Sequence, residues 1–246
     1  MAHVIILAGG KGTRMKSDLP KVLHPINGIP IIHHLLENIE SFCARPTIVV
    51  GYGAEHVKAA TENKYDYALQ AEQLGTGHAI MCAKPNLVNA GHTEIVVLPG
   101  DHPLVTATTL NALLELHKKT GATVSLATAI APSFEGEHAL FLNYGRVIRD
   151  VDGTVDRIVE YKDASEEERA CAEVNLSYYC FDAKWLWENI ETLANANAAK
   201  EYYLTDMIKL AKNQGKIVSA YAIPTFEESL GINTPEQLKN VETTIV

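Results

Sequence analysis

Cysteine is scarce in this chain and does not cluster. Cys43, Cys82, Cys171 and Cys180 stand far apart, with no C-x-x-C pair and no group of histidines beside them. That excludes a zinc ribbon and a disulfide framework, and it casts the four as small buried hydrophobes. Long apolar runs are missing as well. The uninterrupted hydrophobic stretches are strand-sized, well short of the ~20 residues of a spanning helix, and no basic segment leads into a secretory core. The expected location is the cytoplasm, away from the membrane. Basic residues are outnumbered, with 21 Lys and Arg against 30 Asp and Glu for a formal net charge of -9. Aromatics make up only 7% of the chain, and no extended basic, aromatic-laced face exists, so nucleic acid is excluded as a partner. There is no internal repeat, linker or low-complexity stretch. With 246 residues, 47% of them hydrophobic, the chain is long enough for one large α/β domain with a proper core, expected over 1–246.

What is present is concentrated at the start. Residues 4–8 are a short apolar, β-branched run of the kind that forms a strand buried on both faces, and they empty into Gly9-Gly10-Lys11-Gly12. Without Cβ atoms a backbone turns tightly and brings its N–H groups against the oxygens of an anion. Residues 1–21 hold Lys11, Arg14, Lys16 and Lys21 against the single acid Asp18, in a chain that is otherwise acidic. A basic, glycine-lined opening in an acidic protein selects a small polyanion. The loop is neither Walker A, since no Gly-Lys-Ser/Thr closes the spacing, nor a dinucleotide fingerprint, since Met15 stands where a third small residue belongs. An ordinary strand-to-loop turn with solvated lysines is the plainer alternative.

The chain beyond reads as strand and helix in alternation. Apolar residues at helical spacing predict a helix over 28–42, strands follow at 46–50 and 67–70, and a glycine-rich turn at 75–77 opens another helix whose N-terminus suits an anion or a base edge. Residues 94–98 are the clearest central strand. It ends in Pro99-Gly100-Asp101, which puts Asp101 where ligands of open α/β sheets bind. Thr106 is the better cap for the helix over 108–119, so Asp101 is not needed for that task. After a strand at 122–131 the character changes: Asp152-Gly153 marks a hairpin between 146–150 and 155–162, and a strand over 173–181 follows the charged helix 166–169. A helix over 202–213, a strand at 217–223 and a last helix begun by Thr234-Pro235 complete the chain. The expected fold is Rossmann-like α/β, a mostly parallel sheet with helices on both faces and a small antiparallel lobe.

Taken together, residues 7–15 with Leu19-Pro20-Lys21 resemble the signature of nucleotidyltransferases that join a sugar 1-phosphate to a nucleoside triphosphate. Further blocks narrow the likeness: 70–79, Gly100-Asp101, Tyr144-Gly145-Arg146, 158–160 with 162–164, Val174-Asn175, 201–206 and Gly231-Ile232-Asn233. In that order and spacing they are similar to the uridylyltransferase (pyrophosphorylase) domains of the bacterial bifunctional N-acetylglucosamine-1-phosphate uridylyltransferase/glucosamine-1-phosphate acetyltransferase family, over nearly the whole chain. The resemblance implies transfer of the uridylyl group of UTP to N-acetylglucosamine 1-phosphate, giving UDP-N-acetylglucosamine, a cell-wall precursor, and pyrophosphate. It implies Arg14 and Lys21 as catalytic residues and Leu7, Ala8, Gly9, Gly10, Lys11, Gln70, Gly75, Thr76 and Gly100 as nucleotide contacts. Gly145, Glu160 and Asn175 would bind the sugar, and Asp101 and Asn233 would hold Mg²⁺.

The chain departs from the family pattern in places that fall on the sugar side. Pro99 replaces an aromatic residue, Leu176 and Ser177 replace a small residue and a glycine, and Ala199-Lys200 replaces Gln-Gly. The same transfer onto another sugar 1-phosphate, or from dTTP or CTP, therefore stands as an alternative, as does a sugar-nucleotide-binding regulator without turnover. The sequence ends at Val246 without hexapeptide repeats, so neither acetyl transfer nor the trimer those repeats build is expected. Glu166, Glu167 and Glu168 read as an exposed helix face rather than a metal site.

Overall fold

The N-terminal apolar run folds as strand β1 (His3–Ala8), and its burial on two faces sets the architecture. Val4, Ile6 and Ala8 enter one hydrophobic core while Ile5 enters the other. The computed structural model describes residues 2–244, the side chain of Glu137 excepted. After β1 come two short 3-10 turns (Thr13–Met15 and Lys21–Leu23), a hairpin of β2 (Pro25–Ile26) and β3 (Ile29–Pro30), α1 (Ile31–Ile39), β4 (Thr47–Val50), α2 (Ala54–Ala60), β5 (Asp66–Leu69), α3 (Thr76–Leu87), β6 (Glu94–Pro99), α4 (Ala107–Thr120) and β7 (Val124–Ile130). A 3-10 segment (Gly136–Asn143) then leads to β8 (Arg146–Arg149), β9 (Val155–Val159), α5 (Glu166–Arg169), β10 (Glu173–Asp182), α6 (Ala183–Asn189), α7 (Asp206–Asn213), β11 (Val218–Ala222) and α8 (Pro235–Thr244).

The main sheet runs β11-β7-β10-β6-β1-β4-β5, with the β8–β9 hairpin attached through β10. β1 pairs in parallel with both β4 and β6, β5 extends the parallel run, and β11 lies parallel to β7. Only β10 opposes its two neighbours on this path. Helices α1 and α4 cover one face through Ile32, Leu35, Leu36, Ile39, Leu110 and Leu113. On the other face α3, α6 and α7 contribute Ile80, Ala83, Trp185, Leu186, Met207 and Ile208. No helix among the described residues is long and apolar enough to cross a membrane.

Four details differ from the sequence reading. β10 belongs not to a small antiparallel lobe but to the centre of the sheet, between β6 and β7, because Val174, Leu176, Tyr178, Tyr179, Cys180 and Phe181 are apolar on both faces and must be covered on both. The helix expected from 28 starts at Ile31, because Asn27 and Gly28, both at positive φ, turn the β2–β3 hairpin. The helix expected from 202 starts at Asp206, because the backbone of Tyr202 is committed to the loop before α3: its N–H donates to the Leu74 carbonyl and its carbonyl accepts from Gly77. Of the four cysteines only Cys180 is buried, and the other three are half-buried. Thr106 does cap α4, its side chain accepting from the Thr109 N–H.

Candidate active site

Beyond the carboxyl ends of β1, β5 and β6 lies a cleft of about 320 Å³. The flanking strands of β1 depart in opposite directions along the sheet, which is the crevice where open α/β sheets take ligands. It is lined by Leu7, Ala8, Gly9 and Gly10, by Lys21 and Val22, by Gln70, Gln73, Gly75, Thr76 and Ala79, and by Pro99, Asp101, Ser177 and Glu201. The glycines are needed for packing as much as for ligand. Gly75 sits at φ +106, and a Cβ there would stand 2.6 Å from the Tyr202 carbonyl oxygen. That close approach lets the 202–204 segment fasten onto the start of α3, where the Leu204 N–H donates to Thr76 Oγ1 at 3.0 Å. At Gly9 a Cβ would meet Gln70 Oε1 at 2.8 Å, so the missing side chain admits the glutamine to the loop. Gln70 is buried, and its Nε2 donates to the Gly75 carbonyl at 3.0 Å.

The charged centre draws on three distant parts of the chain. The Lys21 ammonium donates to the Asp101 carboxylate and, at 3.0 Å, to Asn233 Oδ1; Arg14 Nη2 donates to the same Oδ1 at 2.8 Å. Burial alone would raise the Asp101 pKa. The Lys21 charge and the Lys21 hydrogen bond outweigh it, so the carboxyl is held below its usual range. Asn233 arrives at this point because its loop is tied down. The Ile232 N–H donates to the Asp101 carbonyl at 2.9 Å, the Asn233 N–H to Gln237 Oε1 at 2.7 Å, and Glu228 Oε2 accepts from both the N–H and the hydroxyl of Thr106 at 3.0 Å. Tyr178 donates to the Glu228 carbonyl, and Tyr144 donates to that of Ser229 at 3.2 Å. His102, buried against Tyr178 with Nδ1 2.7 Å from its hydroxyl, is pushed by burial down to about 4. It is a neutral support for this loop and not a proton donor at neutral pH.

The Asp101 carboxylate and the Asn233 amide oxygen both bond one ammonium, so two hard oxygens from sequence-distant loops converge on a single cation. That donor chemistry fits a small divalent ion completing its shell with phosphate and water.

On the other side of Arg14 lies a larger cavity of about 780 Å³, lined by Thr13, Arg14, Asn143, Glu160, Tyr161, Lys162, Ala199, Glu201 and Tyr203. Glu201 borders both cavities. Glu160 lines it, with Gly145 beside Glu160 and Asn175 beside Gly145: the Gly145 carbonyl accepts from the Asn175 N–H at 2.9 Å, and a Cβ on Gly145 would lie 3.6 Å from Glu160 Oε2. Glu160 Oε1 accepts from the Thr205 hydroxyl at 3.1 Å. Burial pushes the Glu160 pKa up, and the nearby Asp206, Asp163 and Glu201 push it further.

Five residues named from the sequence, Lys11, Gly100, Gly145, Asn175 and Asn233, line neither cavity. Lys11 Nζ lies over the Tyr52 ring, 5.1 Å from its centroid, and does not line the cleft. Gly100 packs the end of β6 onto β1, its N–H donating to the Leu7 carbonyl at 2.9 Å. Conversely Gln73, Val22, Ala79 and Pro99 line the cleft with Ser177 and Glu201, and none of the six had been assigned a contact. For Pro99 and Ser177 the signal was their departure from the family pattern.

Residues 4–204 match the MobA-like NTP transferase domain. Over 241 residues the chain is 47% identical to the bifunctional protein GlmU of Geobacillus thermodenitrificans, covering 98% of this chain and 51% of that protein. The protein of the same name from Bacillus velezensis is 47% identical over 239 residues, 97% of this chain and 51% of its own length. The chain thus spans about half the length of the curated relatives it matches. Among solved structures HddC from Yersinia pseudotuberculosis superposes with a TM-score of 0.73 at 20% identity over 100% of both chains, and its complex with GMP-PN with 0.72 at 19%. These share the fold.

Proposed function

The chain belongs to the MobA-like NTP transferase domain family, and from that premise we propose that it transfers the uridylyl group of UTP to N-acetylglucosamine 1-phosphate, releasing UDP-N-acetylglucosamine and pyrophosphate. The observation that carries this reading is the meeting of Arg14, Lys21, Asp101 and Asn233 beside a glycine-lined cleft. The identity to the bifunctional relatives supports it, being spread over 98% of this chain.

A phosphate monoester oxygen is already an anion at neutral pH and needs no base to remove a proton. It attacks the α-phosphorus of UTP in line, a phosphorus–oxygen bond forms, and the bond to the β-phosphate bridge breaks with pyrophosphate as the leaving group. Catalysis then consists of aligning two anions and neutralising the charge between them. Positioning is worth up to about 7–11 kcal/mol, and one well-placed cationic donor about 3–4 kcal/mol. In this reading the backbone of Leu7, Ala8, Gly9 and Gly10 follows the nucleotide, Gln70 with Gly75 and Thr76 reads the uracil edge, and Gly100 sets the level of the strand end. Arg14 and Lys21 face the reacting phosphates, and Gly145, Glu160 and Asn175 take the sugar. Asp101 and Asn233 would hold Mg²⁺, which when bound supplies Lewis-acid neutralisation of the phosphate oxygens.

The test is pyrophosphate release with Mg²⁺ and UTP against a panel of sugar 1-phosphates that includes N-acetylglucosamine 1-phosphate, with dTTP and CTP as controls. Release with UTP and N-acetylglucosamine 1-phosphate is the expected result. Release only with another sugar or nucleotide moves the substrate, and silence across the panel overturns the reading in favour of a sugar-nucleotide-binding protein.

A further inference from the structure

Where β10 passes the cleft, its pairing with β7 slips between Asn175 and Tyr179. At the slip Ser177 takes φ 63, the left-handed region that glycine occupies freely and other residues only at a cost. Strain retained in a residue that lines a cleft is a pointer to use, and a bulge re-aims the side chain it carries.

The neighbours of Ser177 fix its hydroxyl. Its N–H donates to Asn175 Oδ1 at 3.1 Å, and its Oγ accepts from Asn175 Nδ2 at 3.3 Å. Asn175 Nδ2 also donates to the Tyr179 hydroxyl at 2.7 Å. A side-chain amide has two N–H donors, so both donors of Asn175 are used inside this group. Asn175 and Tyr179 are buried while Ser177 is half-buried and lines the cleft, so Ser177 is the member of the group that borders it. β10 runs antiparallel to β6 with Tyr179 opposite Val97, a register that carries Ser177 toward Pro99 on the same wall. Of these two, only serine has a side chain that hydrogen-bonds.

We propose that Ser177 is a specificity-determining residue for the sugar 1-phosphate, its hydroxyl bonding a ring hydroxyl or amide substituent of the sugar that the committed donors of Asn175 do not reach. The proposal rests on the sugar 1-phosphate reading of the site. Leu176, the other substitution beside it, is buried in the core and takes no part.

Two variants separate contact from strain. Ser177→Ala keeps the left-handed Cβ and loses the hydroxyl; Ser177→Gly loses both. Kinetics with saturating UTP and varied sugar 1-phosphate should show the sugar KM raised about tenfold in both, the loss of roughly one hydrogen bond, with the UTP KM unchanged. Preference for N-acetylglucosamine 1-phosphate over glucose 1-phosphate should fall in both, while only Ser177→Gly gains in thermal midpoint. Unchanged sugar KM and preference in both active variants would overturn the proposal, as would a UTP KM that rises in step with the sugar KM. Should the wild-type chain turn over no sugar 1-phosphate at all, the preceding reading fails first and this one with it.

Discussion

The two walls of the cleft are built from different material. The wall assigned to the nucleotide is largely backbone: Gly9, Gly10, Gly75 and the start of α3 present main chain at close range because there is no Cβ in the way. The wall assigned to the sugar is made of side chains that bond one another, Glu160 to Thr205 and Asn175 to Ser177 and Tyr179. Of the departures from the resembled family, Pro99 and Ser177 line the cleft and Ala199 lines the larger cavity. Two of the departures stand in the left-handed region that glycine occupies freely, Ser177 at φ 63 and Lys200 at φ 56, where the resembled family has glycine.

If that division holds, the largest effect comes from the seam between the walls. Lys21→Ala should lower turnover by about 10²–10³, the worth of one preorganised cationic donor, while UTP binding measured by calorimetry weakens less than about tenfold. A loss of UTP affinity as large as the loss of turnover would make Lys21 a binding residue and erase the seam. Gly75→Ala should come next, at about 1–3 kcal/mol of stability and several degrees of thermal midpoint. Its new Cβ would stand 2.6 Å from the Tyr202 carbonyl and 2.9 Å from Glu201 Cβ, in backbone conformation that alanine resists. Because Gly75 joins α3 to the segment carrying Glu201, this variant should raise KM for both substrates. A change confined to UTP would show the walls to be mechanically independent.

What was legible in the sequence follows the same division. The strand-loop at 3–12, the alternation through β7 and the caps at Thr106 and Thr234 are local patterns, read from residues within a turn or two of one another. The place of β10 in the middle of the sheet is not local; it follows from apolar residues on both its faces competing for cover with β7. The start of α7 is not local either, since Tyr202 bonds Leu74 and Gly77, more than a hundred residues away. Convergence of Asp101 and Asn233 followed from the motif set, and the structure brings both to Lys21. The ties that hold Asn233 there, through Tyr144, Tyr178 and Glu228, have no sequence signature because each is a single bond across the fold. Ser177 stood out only as an odd letter in a pattern; its left-handed backbone appeared with the structure.

The smallest expected effect tests the second wall alone. Glu160 is pushed up from 4.5 first by burial and then by Asp206, Asp163 and Glu201, against the Thr205 hydrogen bond that lowers it. A carboxyl whose folded pKa is raised keeps its proton to higher pH in the folded than in the unfolded chain, so stability falls as pH climbs from the unfolded value through the folded one, and the penalty is complete above that. Glu160→Gln keeps an oxygen for the Thr205 hydroxyl and removes the charge. The thermal midpoint should therefore rise more at pH 8 than at pH 4, where the carboxyl is mostly protonated in both states. The sugar 1-phosphate KM should rise in the same variant while the UTP KM holds. An equal gain at both pH values would mean that the side chain is stabilised by shape and not by discharge, and a UTP KM that moved with the sugar KM would place Glu160 on the shared seam with Lys21 instead of on the sugar wall.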